Sequence, residues 1–120
     1  MGRKKQTPGP GELVQGTLPL LILRTLATGP NHGFAIARRI QQVSKDVLRV
    51  EEGSLYPALH RLEVQGWIAS EWRMTENNRK AKFYEITNRG AKQLASETEY
   101  WQRLTGVMGR VLASAAKEGK

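Results

Sequence analysis

A mainly α-helical domain with one small β-hairpin and a long final helix is the fold class the sequence predicts, and three observations predict it. Residues 17 to 66 hold three stretches with apolar residues at helical spacing. Two aromatic-rich runs, WIASEWRM and KFYEIT, alternate with period two. After residue 88 apolar residues recur at intervals of three and four. The 120-residue length suits one domain with a modest core and is too short for two independent folds.

The elements follow in order. Residues 1–12, with Arg3, Lys4 and Lys5 ahead of Pro8, Gly9, Pro10 and Gly11, read as a flexible basic arm. TLPLLILRTLA, Thr17 to Ala27, reads as a helix capped by Thr17, with Pro19 in its first turn. It is apolar on nearly every side and must be covered on two faces. TGPNHG supplies a turn. FAIARRIQQVS then places Ile36, Ile40 and Val43 inward and Arg38, Arg39 and Gln42 mostly outward. The third helix lies in EEGSLYPALHRLEVQGW. Leu55, Leu59 and Leu62 form its buried stripe, Ser54, Pro57, His60 and Arg61 fall on or beside the opposite side, Tyr56 sits at the boundary, and Gly66 closes the helix. Val64 projects outward with no evident role. The two period-two runs read as a hairpin joined by TENNRKA, with Asn77 and Asn78 at the tip and Arg79, Lys80 and Lys82 clustered at that end.

The last helix is expected from Asn88, as its cap, to about residue 116, leaving 117–120 as a tail. Ala91, Leu94, Thr98, Trp101, Thr105, Met108, Leu112 and Ala115 form a heptad seam along it. Its length, on the order of 40 Å, exceeds what so small a core can cover, so the seam asks for a partner, most simply a second copy. Gly106 and Gly109 weaken this helix by roughly 1 kcal/mol each.

Three helices, a hairpin and a long helix make the winged helix-turn-helix order, in which the third helix enters the major groove of DNA and the hairpin meets the backbone or minor groove. This sets residues 13–87 as a DNA-binding domain and 88–116 as a dimerisation helix. A formal charge of +8 favours a polyanionic partner. Arg38, Arg39, Lys80 and Lys82 are the expected phosphate contacts, and Ser54, Tyr56 and Arg61 the groups able to select bases. A nonspecific DNA-coating protein and a winged-helix protein-interaction module are the alternatives. Lysines and arginines at both the helix and hairpin tips speak against the second, because interface cores are depleted of lysine.

Other chemistries find little support. No cysteine is present, which removes disulfides, thiolate metal sites and thiol catalysis. His32 and His60 lack metal-ligand spacing, no nucleotide-binding or nucleophile motif occurs, and neither enzyme activity nor a metal or other cofactor is expected. No apolar run approaches the roughly 18 residues that span a bilayer, and MGRKKQTPGPGE has no apolar segment behind its basic residues, so no membrane span or secretion signal is expected.

HGFAIARRI, EEGSLYPALHRLEVQGWI and RKAKFYEITNRGAKQL resemble the second-helix, recognition-helix and wing segments of the PadR family of bacterial transcriptional regulators. The resemblance covers roughly Leu13 to Leu112, and its most distinctive part is glycine-serine-leucine-tyrosine-proline followed by Arg61, Leu62 and Glu63. The single terminal helix is similar to the short subgroup of that family. The resemblance implies a cytoplasmic, nucleoid-associated homodimer that represses from a pseudo-palindromic operator and is released by an effector or a state change. It implies DNA contacts at Ser54, Tyr56, Pro57 and Arg61, with His60 beside them, at Arg79, Lys80 and Lys82 of the wing, and at His32 and Gly33, where helical N–H groups can face a phosphate. It implies that the first and last helices interlock between protomers, through Leu20 and Leu21 and through Leu94, Thr98, Trp101, Thr105, Met108 and Leu112. Trp101 lies where similar short proteins carry an aromatic at the dimer centre, which in some multidrug-sensing members stacks planar ligands, though packing is the first reading for a tryptophan at such a position. TENNRKA carries less glycine and arginine than many wings of the family.

Overall fold

The computed structural model describes residues 10–118, and the side chains of residues 17–114. Its elements are α1 (Pro10–Leu26), β1 (Asn31–His32), α2 (Gly33–Val43), α3 (Glu52–Val64), β2 (Ile68–Met74), β3 (Lys80–Ile86) and α4 (Asn88–Glu118). No helix among the described residues is long and apolar enough to cross a membrane.

α1 starts earlier than the sequence predicts. Pro10 occupies the first helical position, where a missing N–H costs nothing, and the helix runs on through Gly16 and Thr17. Thr17 is therefore not a cap, and Pro19 sits inside the helix rather than in its first turn. Residues 10–12 belong to this helix and not to the arm. Residues 1–9, with Arg3, Lys4 and Lys5, lie outside the described residues.

One core holds the domain. Leu18, Ile22, Leu23 and Leu26 of α1 meet Ile36 and Ile40 of α2, Leu55, Ala58, Leu59 and Leu62 of α3, and Ile68 and Tyr84 of the sheet. Each of the larger side chains contributes about 1.5–3 kcal/mol by leaving water. Val43, expected inside with Ile36 and Ile40, is 67% exposed, because α2 ends there and the core does not extend beneath its last turn.

The turn from α2 to α3 is held by side chains. Ser44 Oγ accepts from the Leu48 amide at 3.0 Å and donates to the Gln41 carbonyl at 3.1 Å. Left-handed backbone at Lys45 (φ 55°) and Asp46 (φ 68°) completes the reversal. α3 ends as expected at Gly66, whose φ of 79° suits glycine. The Trp67 amide donates to the Leu62 carbonyl and the Gly66 amide to that of Glu63, each at 3.0 Å, which is the paired-bond Schellman ending.

The sheet has three strands in the order β1-β3-β2, one more than the hairpin read from sequence. Asn31 and His32 pair with Tyr84 and Phe83 inside what the sequence suggests is only a turn; two residues are too few for a period to show. β2 and β3 pair without interruption from Ile68↔Ile86 to Met74↔Lys80. Their loop closes through the Thr75 amide on the Arg79 carbonyl at 2.7 Å, with Asn78 in the left-handed region (φ 64°). Asn77 and Asn78 stand at the tip, as the sequence predicts, whereas Lys82 lies within β3 and not at the wing's end.

α4 is capped by Thr87 and not by Asn88. Thr87 Oγ1 accepts from the Gly90 amide at 3.0 Å and donates to the Gly66 carbonyl at 2.7 Å, while the Thr87 amide donates to the Trp67 carbonyl at 3.0 Å. Asn88 is the exposed first helical residue. A single threonine thus ties the end of α3 to the start of α4. The helix continues to Glu118, past the expected end near residue 116.

The first turn of α4 presses on the chain after α3: a Cβ at Gly90 would collide with the Trp67 carbonyl oxygen, a backbone atom that cannot step aside. Gly90→Ala should therefore destabilise the fold by about 3 kcal/mol, measured by urea unfolding. An unchanged midpoint would show that this junction is looser than described.

Candidate nucleic-acid interface

The buried rear of α3 decides what its front shows. With Leu55, Ala58, Leu59 and Leu62 inside, residues 53, 57, 60 and 64 fall on the opposite stripe, and Gly53, Pro57, His60 and Val64 are all exposed. Val64, 72% exposed, continues the same line as the expected contact residues.

The two flanks of α3 have different neighbours. Toward the sheet stand Tyr56 and Glu63. Tyr56 is partly exposed and its ring lies over the start of α2: a Cβ at Gly33 would come 2.8 Å from the Tyr56 hydroxyl. Gly33 is thus the seat of Tyr56 as well as the first residue of α2. Glu63 accepts from Ser70 Oγ at 2.6 Å through one carboxylate oxygen and faces Lys82 Nζ at 3.9 Å with the other. Lys82 also lies 6.0 Å from the centre of the Tyr84 ring. Its ammonium is therefore turned toward α3, where it helps brace the wing. Burial, with Glu63 and Tyr56 nearby, raises the Tyr84 phenol above its ordinary pKa. On the other flank, Ser54, Pro57 and Arg61 line a shallow cleft against Leu18 of α1.

Exposed cations gather on α2 and at the wing tip. Arg38 and Arg39 are exposed on α2, and with Phe34 and Gln42 they face Asn77 of the wing tip across a concavity of about 430 Å³. Arg38 lies over the Phe34 ring at 5.7 Å. Arg79 and Lys80 are exposed at the wing tip. His32 serves the fold directly. Its Nδ1 accepts from the Ala35 amide at 3.3 Å, capping α2, and its ring meets Phe83 edge-on at 5.3 Å. No group of three or more histidine and acidic residues able to hold a metal occurs among the described residues.

The seam on α4 divides in two. Leu94 packs on the protomer's own core, and Trp101 is half-buried in a cleft of about 310 Å³ that Thr17, Leu20, Ala58, Arg61 and Glu97 also line. Leu21 packs on the core too. Farther along, Thr105 is exposed, and Met108, Val111 and Leu112 are apolar residues left uncovered. Ala115 lies outside the described side chains. Two exposed residues that the motifs do not single out are Val64 and Trp72. Trp72 falls in a run whose aromatics suit any strand, and only the pairing register shows which face it takes.

The model of the transcriptional regulator PadR-like family matches residues 22–96, from within α1 to the first turns of α4. The chain belongs to this family. A transcriptional regulator of Mycobacterium tuberculosis is 33% identical over 93 residues, which are 78% of this chain and 83% of that protein. A 37.1 kDa protein in a Streptomyces fradiae transposon is 38% identical over 99 residues, 82% of this chain, and the match takes in only 26% of that longer protein. Among solved structures, a PadR family transcriptional regulator from Eggerthella lenta aligns with a TM-score of 0.72 at 33% identity, over 84% of this chain and 86% of that one. As a PadR-family member the chain is a DNA-binding transcriptional regulator and not an enzyme.

For a PadR-family regulator the seat of Tyr56 gives a direct test. Gly33→Ala pushes on the far end of the Tyr56 ring, which can swing away, so unfolding free energy should change by less than about 1 kcal/mol. If Tyr56 is the DNA contact the sequence leads one to expect, DNA affinity should nevertheless fall severalfold as the phenol leaves its place. Affinity equal to that of the unsubstituted chain, measured by fluorescence anisotropy, would remove Tyr56 from the interface.

Proposed function

We propose that this PadR-family chain is a homodimeric repressor that binds a pseudo-palindromic operator through paired α3 helices. The observation that carries this reading is the exposed stripe of α3, Gly53, Pro57, His60 and Val64, on a domain that also exposes Arg38 and Arg39 of α2 and Arg79 and Lys80 of the wing. Glycine and proline at the front let the helix approach base edges closely and His60 offers a hydrogen-bonding group there, while Arg38, Arg39, Arg79 and Lys80 neutralise phosphates. Tyr56 and Ser54 reach the groove walls from the flanks, and Arg61 reaches it from the α1 side.

Dimerisation is supported by the distal part of α4. Met108, Val111 and Leu112 form an apolar face that the protomer's own core does not cover, and Thr105 continues the seam inward toward Thr98 and Trp101. A second copy, with the same stripe, buries both. Repression follows from occupying an operator, and the site of action is the cytoplasm, where the chromosome lies. A planar effector would enter the cleft beside Trp101, whose wall includes Arg61 and Ala58 of α3, so that occupancy shifts the reading helix from behind. Quenching of Trp101 emission by planar cations, lost in Trp101→Leu, is the expected sign of such a site; a panel that quenches neither protein would leave Trp101 as packing.

The reading is tested by titrating operator and random duplexes at about 0.15 M salt, with sedimentation equilibrium on the free protein. A specific regulator prefers its operator by roughly a thousandfold or more and sediments as two chains. Arg61→Ala should cost about 1–3 kcal/mol and relax selectivity, whereas Lys80→Ala should weaken all sequences alike and lower the salt slope by about one. Equal losses on operator and random DNA for Arg61→Ala would contradict its role, and a monomer at micromolar concentration would contradict the paired geometry.

A further inference from the structure

The uninterrupted register of β2 and β3 sorts the wing into two unlike faces. Ile68, Ser70, Tyr84 and Ile86 share the face that packs toward the core and α3, and Trp72, Met74, Lys80 and Lys82 continue that face outward. The opposite face carries Glu71, Arg73, Glu85 and Phe83, with Arg73 paired to Glu71 and lying 5.3 Å over the Phe83 ring. The inner face past the Ser70–Glu63 contact is thus apolar and cationic, and the outer one holds the acids.

Trp72 is 62% exposed and Met74 59%, directly across from Lys82 and Lys80. Most of each side chain is left uncovered by the described residues. A protein partner seated there would have to bury two lysines, which interface cores avoid. A polyanion is drawn to Lys80, Lys82 being engaged with Glu63, and its sugars offer an apolar surface to the indole. We propose that Trp72 is a DNA contact, packing its ring against deoxyribose walls of the minor groove beside the site read by α3, with Met74 supporting it and Lys80 and Arg79 holding the flanking phosphates. Apolar side chains are at home in the minor groove in other proteins, there as wedges between base steps; here the ring lies along the sugars. The inference rests on α3 being the groove-reading helix, which fixes the wing beside the neighbouring minor groove.

The test compares the full-length chain with Trp72→Ala and Trp72→Phe on an operator duplex selected from a random library, by anisotropy and by hydroxyl-radical footprinting of the sugars. Trp72→Ala should bind roughly tenfold more weakly and lose sugar protection outside the α3 half-site, while Trp72→Phe keeps most of both. Melting temperature should fall by only a few degrees, because most of the side chain is exposed. Wild-type affinity and an unchanged footprint for Trp72→Ala would overturn the inference and leave the α3 reading intact. Wild-type DNA binding with loss of the dimer would place a second copy on this face and overturn it too. If the unsubstituted chain enriches no duplex, both the α3 reading and this inference fall.

Discussion

The burial of one side of α3 is the constraint on which the rest of the structure depends. Leu55, Leu59 and Leu62 are essentially without solvent access, held by α1 and by the sheet residues Ile68 and Tyr84. Once that stripe is fixed, helical geometry leaves no freedom about which residues face outward or which flank the wing meets. Glu63, one residue on from Leu62, then falls where Ser70 and Lys82 can reach it, so the wing's position is a consequence of the same burial. Direct worth of the Glu63–Lys82 pair is small because both ends are partly solvated. Its value is orientation.

A second link carries that orientation to α4. Thr87 bonds backward to the Gly66 carbonyl and forward to the Gly90 amide, so the direction in which α4 leaves the domain is set by the residue that closes α3. Glycine at 90 allows the two segments to approach closely enough for this. In the proposed dimer, the spacing between two α3 helices would depend on a few backbone contacts near Trp67 as well as on the long arm of α4. In a regulator that must match a fixed helical repeat of DNA, such a short and bonded connection limits how far the half-sites can wander.

Much of this is legible in the sequence, because it rests on periodicities long enough to count. The stripe of α3, the C′ glycine at 66, the hairpin tip and the long terminal helix all follow from spacing or from turn chemistry. The third strand is not legible, since Asn31 and His32 are two residues whose pairing depends on Phe83 and Tyr84 far along the chain. The start of α1 is hidden because Pro and Gly at 10 and 11 read as loop, although proline at a first helical position suits a helix as well. Asn88 looks like the cap because asparagine often is one; Thr87 takes that role by reaching Gly66, a contact no local window contains. Lys82 looks like a wing-tip cation, and only the strand register shows it directed at Glu63. Trp72 escapes notice for the same reason: its face is a property of pairing and not of composition.

Selection of bound duplexes from a random library, read by sequencing, tests most directly whether the exposed stripe of α3 reads DNA as part of a two-fold pair. The expected result is one enriched motif with two inverted half-sites whose centres lie about one helical turn, roughly 10–10.5 base pairs, or a multiple of it apart. Enrichment of no motif, or of a single asymmetric site bound by one chain, would contradict it.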